Sequence, residues 1–253
     1  MRKKLKLPLI SVAIALLLAG LGTTAWFIRP QEVMDRASEA LEGSESVGVE
    51  EIDAEGVSGF HFASRGSEPE VGLIFYPGAR VPVRAYSPEA LKIAEEGYEV
   101  FLVSVPLNLA VLGWKKAEKI ITTRSEEKDW VIGGHSMGGA MAARFVARTD
   151  YSVEGLLLWA SYPQKGESFS SDLKVLSITG GRDEIINGSK LARSRKQLPP
   201  STEFVEIAGG NHSQFGWYGF QSGDGRAGIS REKQMKIIVE ETVGLLAEVR
   251  EGS

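Results

Sequence analysis

The chain of 253 residues contains no cysteine. That removes disulfides, thiolate metal sites and a cysteine nucleophile at once. It leaves the compartment open, because an oxidising space permits disulfides without requiring them. Histidine is almost as scarce. His61, His135 and His212 are the only three, and they stand in separate contexts, which makes a poor ligand set for a metal. Positive charge is thin beyond the first residues. Once Arg2, Lys3, Lys4, Lys6 and Arg29 are set aside, 24 basic residues face 33 acidic ones from Pro30 onward. An acidic body with no basic patch among aromatics does not suit nucleic acid, whose binding rests on neutralising phosphates. No Gly-x-Gly-x-x-Gly follows an early strand and no Walker-type lysine follows a glycine loop, so neither nucleotide-binding signature is present.

What is there begins with an apolar run. Residues 7–28 carry no charge and span 22 positions, and about 20 helical residues cross a bilayer core. Trp26 sits near the far end, where an amphipathic ring suits the interface. The four basic residues before position 7 predict a cytoplasmic start and an extracytoplasmic body. The expectation is a single-pass anchor in the cell membrane, with the lipid bilayer as a partner. The competing reading is a cleaved secretory signal and a secreted protein, although a signal's apolar region is usually shorter. Residues 1–29 are thus expected to be the basic start and transmembrane helix, 30–46 a juxtamembrane spacer with a short amphipathic helix over 31–41, and 47–253 one further domain.

Within that domain strands and helices alternate. Strands are expected at 47–52, 57–62, 71–76, 100–105, 130–133, 153–159, 174–178 and 203–207, the first two as an entry hairpin. Helices are expected from Ser87-Pro88-Glu89, where serine, proline and an acid suit a helix start, and over 109–121, 137–147, 189–195 and 232–247. Continuous apolar strands between helices imply a mostly parallel sheet covered on both faces. The expected fold class is therefore α/β, preceded by one N-terminal transmembrane helix.

The decisive segment is Gly134-His135-Ser136-Met137-Gly138-Gly139, between an apolar strand and an alanine-rich helix. In Gly-x-Ser-x-Gly the serine sits on a sharp strand-to-helix turn, and the glycines let strand and helix approach closely. Ser136 is the expected nucleophile. His212 leaves the strand 203–207 through Gly209-Gly210-Asn211, and Asp183 leaves the strand 174–178 through Thr179-Gly180-Gly181-Arg182. Both fall at the sheet edge where ligands gather. His212 is the expected base, and Asp183 the acid that fixes its tautomer; Asp224 is the runner-up acid. His135 and His61 read as structural. Oxyanion donors are expected at the Met137 amide and at Ala79, with Gly78 as the alternate. One such donor is worth about 2.7–4 kcal/mol of transition-state stabilisation.

Together with Tyr76-Pro77-Gly78-Ala79, Gly180-Gly181-Arg182-Asp183 and Gly210-Asn211-His212, the elbow resembles the α/β-hydrolase superfamily. More narrowly it resembles the small, lidless esterase and dienelactone-hydrolase-like branch, over about residues 47–246. The resemblance implies a Ser136–Asp183–His212 triad, no cofactor or metal, and hydrolysis of carboxylic esters through an acyl-enzyme. Thioesters, amides, cell-envelope acyl groups and a catalytically inactive interaction domain are the alternatives. Dienelactone hydrolases usually place cysteine where this chain has Ser136, which favours an ordinary ester. Arg80, Phe215, Trp217 and Tyr218 are possible pocket residues, the three aromatics equally well anchors of their loop. Asn211-His212-Ser213 also fits a glycan acceptor, and a glycan there would hinder the base, which points to a bacterial source. Only 14 residues separate Trp159 from Lys174, too few for a helical cap, so an open site for small or surface-presented acyl substrates is expected.

Overall fold

The computed structural model describes residues 29–252 apart from 55, 67–68 and 125–127. Eight strands form one sheet: β1 (Val47–Ala54), β2 (Val57–Ser64), β3 (Val71–Tyr76), β4 (Glu99–Val103), β5 (Asp129–His135), β6 (Gly155–Trp159), β7 (Lys174–Gly180) and β8 (Glu203–Ile207). Their order is β1-β2-β4-β3-β5-β6-β7-β8. β1 pairs antiparallel with β2, and β2 with β4. The pairs from β4 to β8 are all parallel, so the sheet is mostly parallel, with an antiparallel hairpin at one edge.

Side chains alternate between the two faces with the period of two that a strand imposes. Leu73, Phe75, Val100, Leu102, Val131 and Leu157 pack on one face against α2 (Ser87–Glu95) and α6 (Arg231–Glu251). Ile74, Tyr76, Phe101, Ile132, Leu156 and Leu158 pack on the other against α3 (Lys116–Thr123) and α4 (Met137–Val146). Two short helices complete the set, α1 (Asp35–Glu39) and α5 (Gly188–Ser194).

Gln31–Ser253 is one compact unit, and the stretch expected as a spacer is folded into it. Val33 bridges Tyr218, and Ala37 of α1 is fully buried. The membrane expectation is corrected. Among the described residues no helix is long and apolar enough to cross a membrane. Even the 21-residue α6 is amphipathic, one face in the core and the other charged. The span expected over 7–28 lies outside the described residues. The expected transmembrane helix, bilayer partner and extracytoplasmic placement thus find no support among the described residues.

Candidate active site

Ser136 stands between the end of β5 and the start of α4, at φ 53° and ψ −117°. A non-glycine residue held there costs on the order of 1–3 kcal/mol and persists only where its surroundings over-determine it. They do so here. The Ser136 amide donates to the Trp159 carbonyl at 2.9 Å. Its carbonyl accepts from Ser161 Oγ at 2.7 Å and from the Ala140 amide at 3.1 Å. The flanking glycines are sterically required: a Cβ on Gly134 would meet the Gly138 carbonyl carbon at 2.4 Å, and one on Gly138 the Tyr76 oxygen at 2.2 Å.

β7 and β8 deliver the other two residues from neighbouring strand ends. Asp183 Oδ2 lies 2.7 Å from His212 Nδ1, and both side chains are inaccessible to solvent. The second carboxylate oxygen accepts from the Ile185 and Ile186 amides, each at 2.9 Å. An aspartate so filled acts as an acceptor, so Nδ1 carries the proton and Nε2 has a free lone pair. His212 Nε2 is buried and has no hydrogen-bond partner, Ser136 Oγ included. Ser136 and His212 line the same cavity, of about 420 Å³.

That cavity is floored by Val111, Met137, Ala140, Met141, Ile185 and Ile186, with Ser161, Tyr162, Gln164 and Asn187 also on its wall. The short loop after β6 supplies Ala160, Ser161, Tyr162 and Gln164 to the wall. The Met137 amide opens α4, where N–H groups have no intrahelical partner. Gly78 does not serve as a free donor, because its amide is spent on the Tyr86 hydroxyl at 2.9 Å. Ala79 next to it is half-buried. Arg80 has φ 62°, and its amide bonds the Asn108 carbonyl at 2.7 Å.

None of the four residues expected around a pocket lines this cavity. Arg80 shapes the loop after β3. Phe215 stacks on His135 at 5.5 Å, the Trp217 amide bonds the Ala85 carbonyl at 2.6 Å, and the Tyr218 hydroxyl donates to the His212 carbonyl at 3.3 Å. The aromatics therefore anchor the histidine loop. Asp224 is also not the acid beside the imidazole. Its carboxylate accepts from the amides of His212, Ser213 and Gly225 and from Ser213 Oγ, holding the same loop by its backbone. The Asn211 side chain is buried and donates to the Gly225 carbonyl at 2.8 Å, so it is not presented to a glycosylating enzyme.

Sequence reasoning missed several supporting residues. The Tyr86 hydroxyl accepts from the Gly78 amide and lies within hydrogen-bond distance of His135 Nδ1, at 2.9 Å. Burial, with His212 nearby as the lesser cause, pushes the His135 pKa well down. A neutral His135 lies 4.5 Å from the His212 ring, centroid to centroid. Gln234 of α6 exchanges hydrogen bonds with the Asn211 backbone at 2.8 and 3.0 Å. Arg231 grips the carbonyls of Ser213, Gly216 and Tyr218. Glu89, expected to serve the helix dipole, does lie in the first turn of α2 but is fully buried.

A buried acceptor nitrogen with its tautomer fixed, a strained serine and free amides at a helix start are together equipped for attack on a carbonyl. The comparisons agree on the class. A model of the alpha/beta hydrolase family matches residues 72–236, more than half of the chain, and the protein belongs to that family. Among curated proteins none matches. Solved structures with a similar fold include a predicted CIB-like hydrolase from Thermoplasma acidophilum, with TM-score 0.58 and 16% identity over 78% of this chain and 98% of that one. A dienelactone hydrolase from Anabaena variabilis gives TM-score 0.57 and 13% identity over 81% and 99%. A thermophilic esterase from the planctomycete Thermogutta terrifontis, bound to propionate, gives TM-score 0.58 and 12% identity over 81% and 95%. At such identities the likeness speaks for the fold. Fold and family point to a hydrolase.

Proposed function

We propose that the protein hydrolyses carboxylic esters with Ser136 as nucleophile, His212 as general base and acid, and Asp183 as the group that orients His212. Nε2 of His212 takes the Ser136 Oγ proton as Oγ bonds to the acyl carbon. The Met137 and Ala79 amides face the oxygen that gains charge. The imidazolium then protonates the departing alcohol. Water, deprotonated by His212, attacks the acyl carbon, the carboxylic acid leaves and Ser136 regains its proton. The observation that carries this reading is the 2.7 Å bond from His212 Nδ1 to Asp183, which leaves Nε2 as an unpaired acceptor in the cavity that Ser136 also lines. Catalytic hydrogen bonds often close only when substrate binds, so the absent Ser136–His212 bond is compatible with it.

The test is labelling by a fluorophosphonate together with turnover of p-nitrophenyl esters of graded chain length. Label on Ser136, ester turnover, and loss of both in Ser136→Ala are expected. Folded protein that neither takes the label nor turns over any ester would refute the reading and leave an interaction domain built on the hydrolase fold.

A further inference from the structure

Among the described residues, no lysine, arginine, aspartate or glutamate lines the cavity beside Ser136. A second cavity, of about 530 Å³, shares Tyr162 and Gln164 with it and has the opposite character. Lys165, Lys190 and Arg193 line it, and no acid does. Among the described residues none of these three side chains makes an ion pair, and no hydrogen bond engages their charged ends. Glu167, close by in sequence, is turned elsewhere: it is buried, accepts from the Gln164 amide at 2.7 Å and lies 3.7 Å from Arg144. In a body with 24 basic residues against 33 acidic ones, three exposed cations lining one concavity with no acid beside them on its wall are a local reversal of charge. Like charges held together repel unless an anion joins them.

We infer that this second cavity is an anion subsite, and that the substrate is an ester whose alcohol portion carries a carboxylate or phosphate. The inference rests on the ester-hydrolysis reading for its orientation: the uncharged cavity takes the acyl chain, and the leaving group passes Tyr162 and Gln164 to reach Lys165, Lys190 and Arg193. Exposed cations act through screened Coulomb attraction, so the subsite is read as a preference that weakens with salt.

The experiment uses acetyl esters of ω-hydroxyalkanoic acids of graded length, each against its methyl ester, with an acetylated alkyl phosphate as the second anionic arm. At one length the free acid, the phosphate or both should be preferred over the neutral ester by about tenfold in kcat/KM, mainly through KM. High salt should erase the preference. The triple variant Lys165→Gln/Lys190→Gln/Arg193→Gln should erase it at low salt as well. Because the readout is a ratio between substrates, a general loss of folding or activity does not imitate it. Equal turnover of acid and neutral ester at every length, or a preference that survives in the triple variant, overturns the inference. If the wild-type protein cleaves no ester at all, ester hydrolysis fails and the subsite is judged alone, by titration calorimetry with suberate and with inorganic phosphate. Binding by wild type that is lost in the triple variant keeps the subsite, and no binding by wild type overturns it.

Discussion

Two histidine–carboxylate pairs are buried in this molecule at the same distance and in opposite surroundings. His61 Nε2 lies 2.7 Å from Glu99 Oε1, and His212 Nδ1 lies 2.7 Å from Asp183 Oδ2. In the first pair everything is answered locally. Glu99 also takes the Lys128 ammonium, the His61 ring stacks on Phe101 at 4.4 Å, and the other ring nitrogen faces Glu50 at 3.9 Å. In the second pair the carboxylate is filled by backbone amides, no lysine or arginine among the described residues pairs with it, and the far nitrogen is left as an unpaired acceptor in a cavity. A short bond from imidazole to carboxylate is therefore no mark of catalysis by itself. What distinguishes the His212 pair is the unshared lone pair on Nε2 and the cavity that His212 lines with Ser136.

The largest expected effect tests that distinction directly. His212→Gln should lower kcat/KM for an ester by at least about 10⁴-fold, on the scale seen when a base is removed from a serine triad. His61→Gln should leave turnover within about threefold and lower stability by about 1–3 kcal/mol, the cost of stranding Glu99. Steady-state kinetics and urea denaturation on both variants decide it; comparable activity losses would erase the contrast. The two carboxylates extend the comparison. Asp183→Asn keeps the acceptor for the Ile185 and Ile186 amides but turns an N–H toward Nδ1. That moves the imidazole proton to Nε2, with an expected loss of about 10³–10⁴-fold in kcat. Glu99→Gln should leave kcat unchanged.

A third buried carboxylate sharpens the point further. Burial pushes the Glu89 pKa up to about 8, opposed by its own backbone amide and then by Arg231 and the Trp217 side chain. Burial also pushes Glu99 up, but the His61 and Lys128 hydrogen bonds outweigh it and hold Glu99 below the usual carboxylate range. The linkage signs are opposite. Between pH 4.5 and about 8 folded Glu89 keeps a proton that the unfolded chain has released. Its contribution is therefore present at the lower pH and lost as pH rises through that window. Glu99 contributes above its unfolded pKa and loses that contribution as pH falls. Glu89→Gln should flatten the decline toward pH 8 by several kcal/mol, at about 1.4 kcal/mol per tenfold change in proton affinity. Denaturant unfolding from pH 5 to 8.5 measures it, and an unchanged slope would mean that Glu89 is ionised in the folded protein.

How far the sequence carried these features depends on whether the signal is local. The elbow is contiguous, and Gly134, Ser136 and Gly138 declare the turn outright. Strand β8 has the expected bounds, with β-favouring Phe204, Val205 and Ile207 followed closely by the glycines at 209–210. The segment 109–121 was harder: a 3-10 turn over Ala110–Leu112 ends at Gly113, and only Lys116–Thr123 is helical. Support for the histidine loop was illegible for another reason. Tyr86, Arg231 and Gln234 lie on helices or turns distant in sequence, where a polar residue reads as surface. Gln234 did leave a trace, since it falls on the buried stripe with Ile238, Thr242, Leu245 and Val249. Phe215, Trp217 and Tyr218 stayed open between substrate wall and loop anchor because sequence does not say which way the rings turn; their contacts are those of an anchor.

The smallest expected effect concerns what each histidine needs to stay in place. His61 lies within β2, held by the β1 and β4 ladders. His212 lies on a loop, and Arg231 binds three carbonyls of the residues that follow it, with Ser213 at 2.7 Å and Tyr218 at 3.1 Å among them. A planar guanidinium satisfies such divergent acceptors in one fixed geometry, whereas an ammonium is a compact point charge. Arg231→Lys keeps the charge that faces Glu89 and gives up the fork. The loop should then sample positions in which Nε2 misses Ser136, lowering kcat about tenfold with KM within twofold, because the acyl cavity is untouched. The melting temperature reports the structural part separately. A variant that melts earlier yet keeps wild-type kcat below its transition would show that Arg231 serves only stability, and that the loop holds His212 without it.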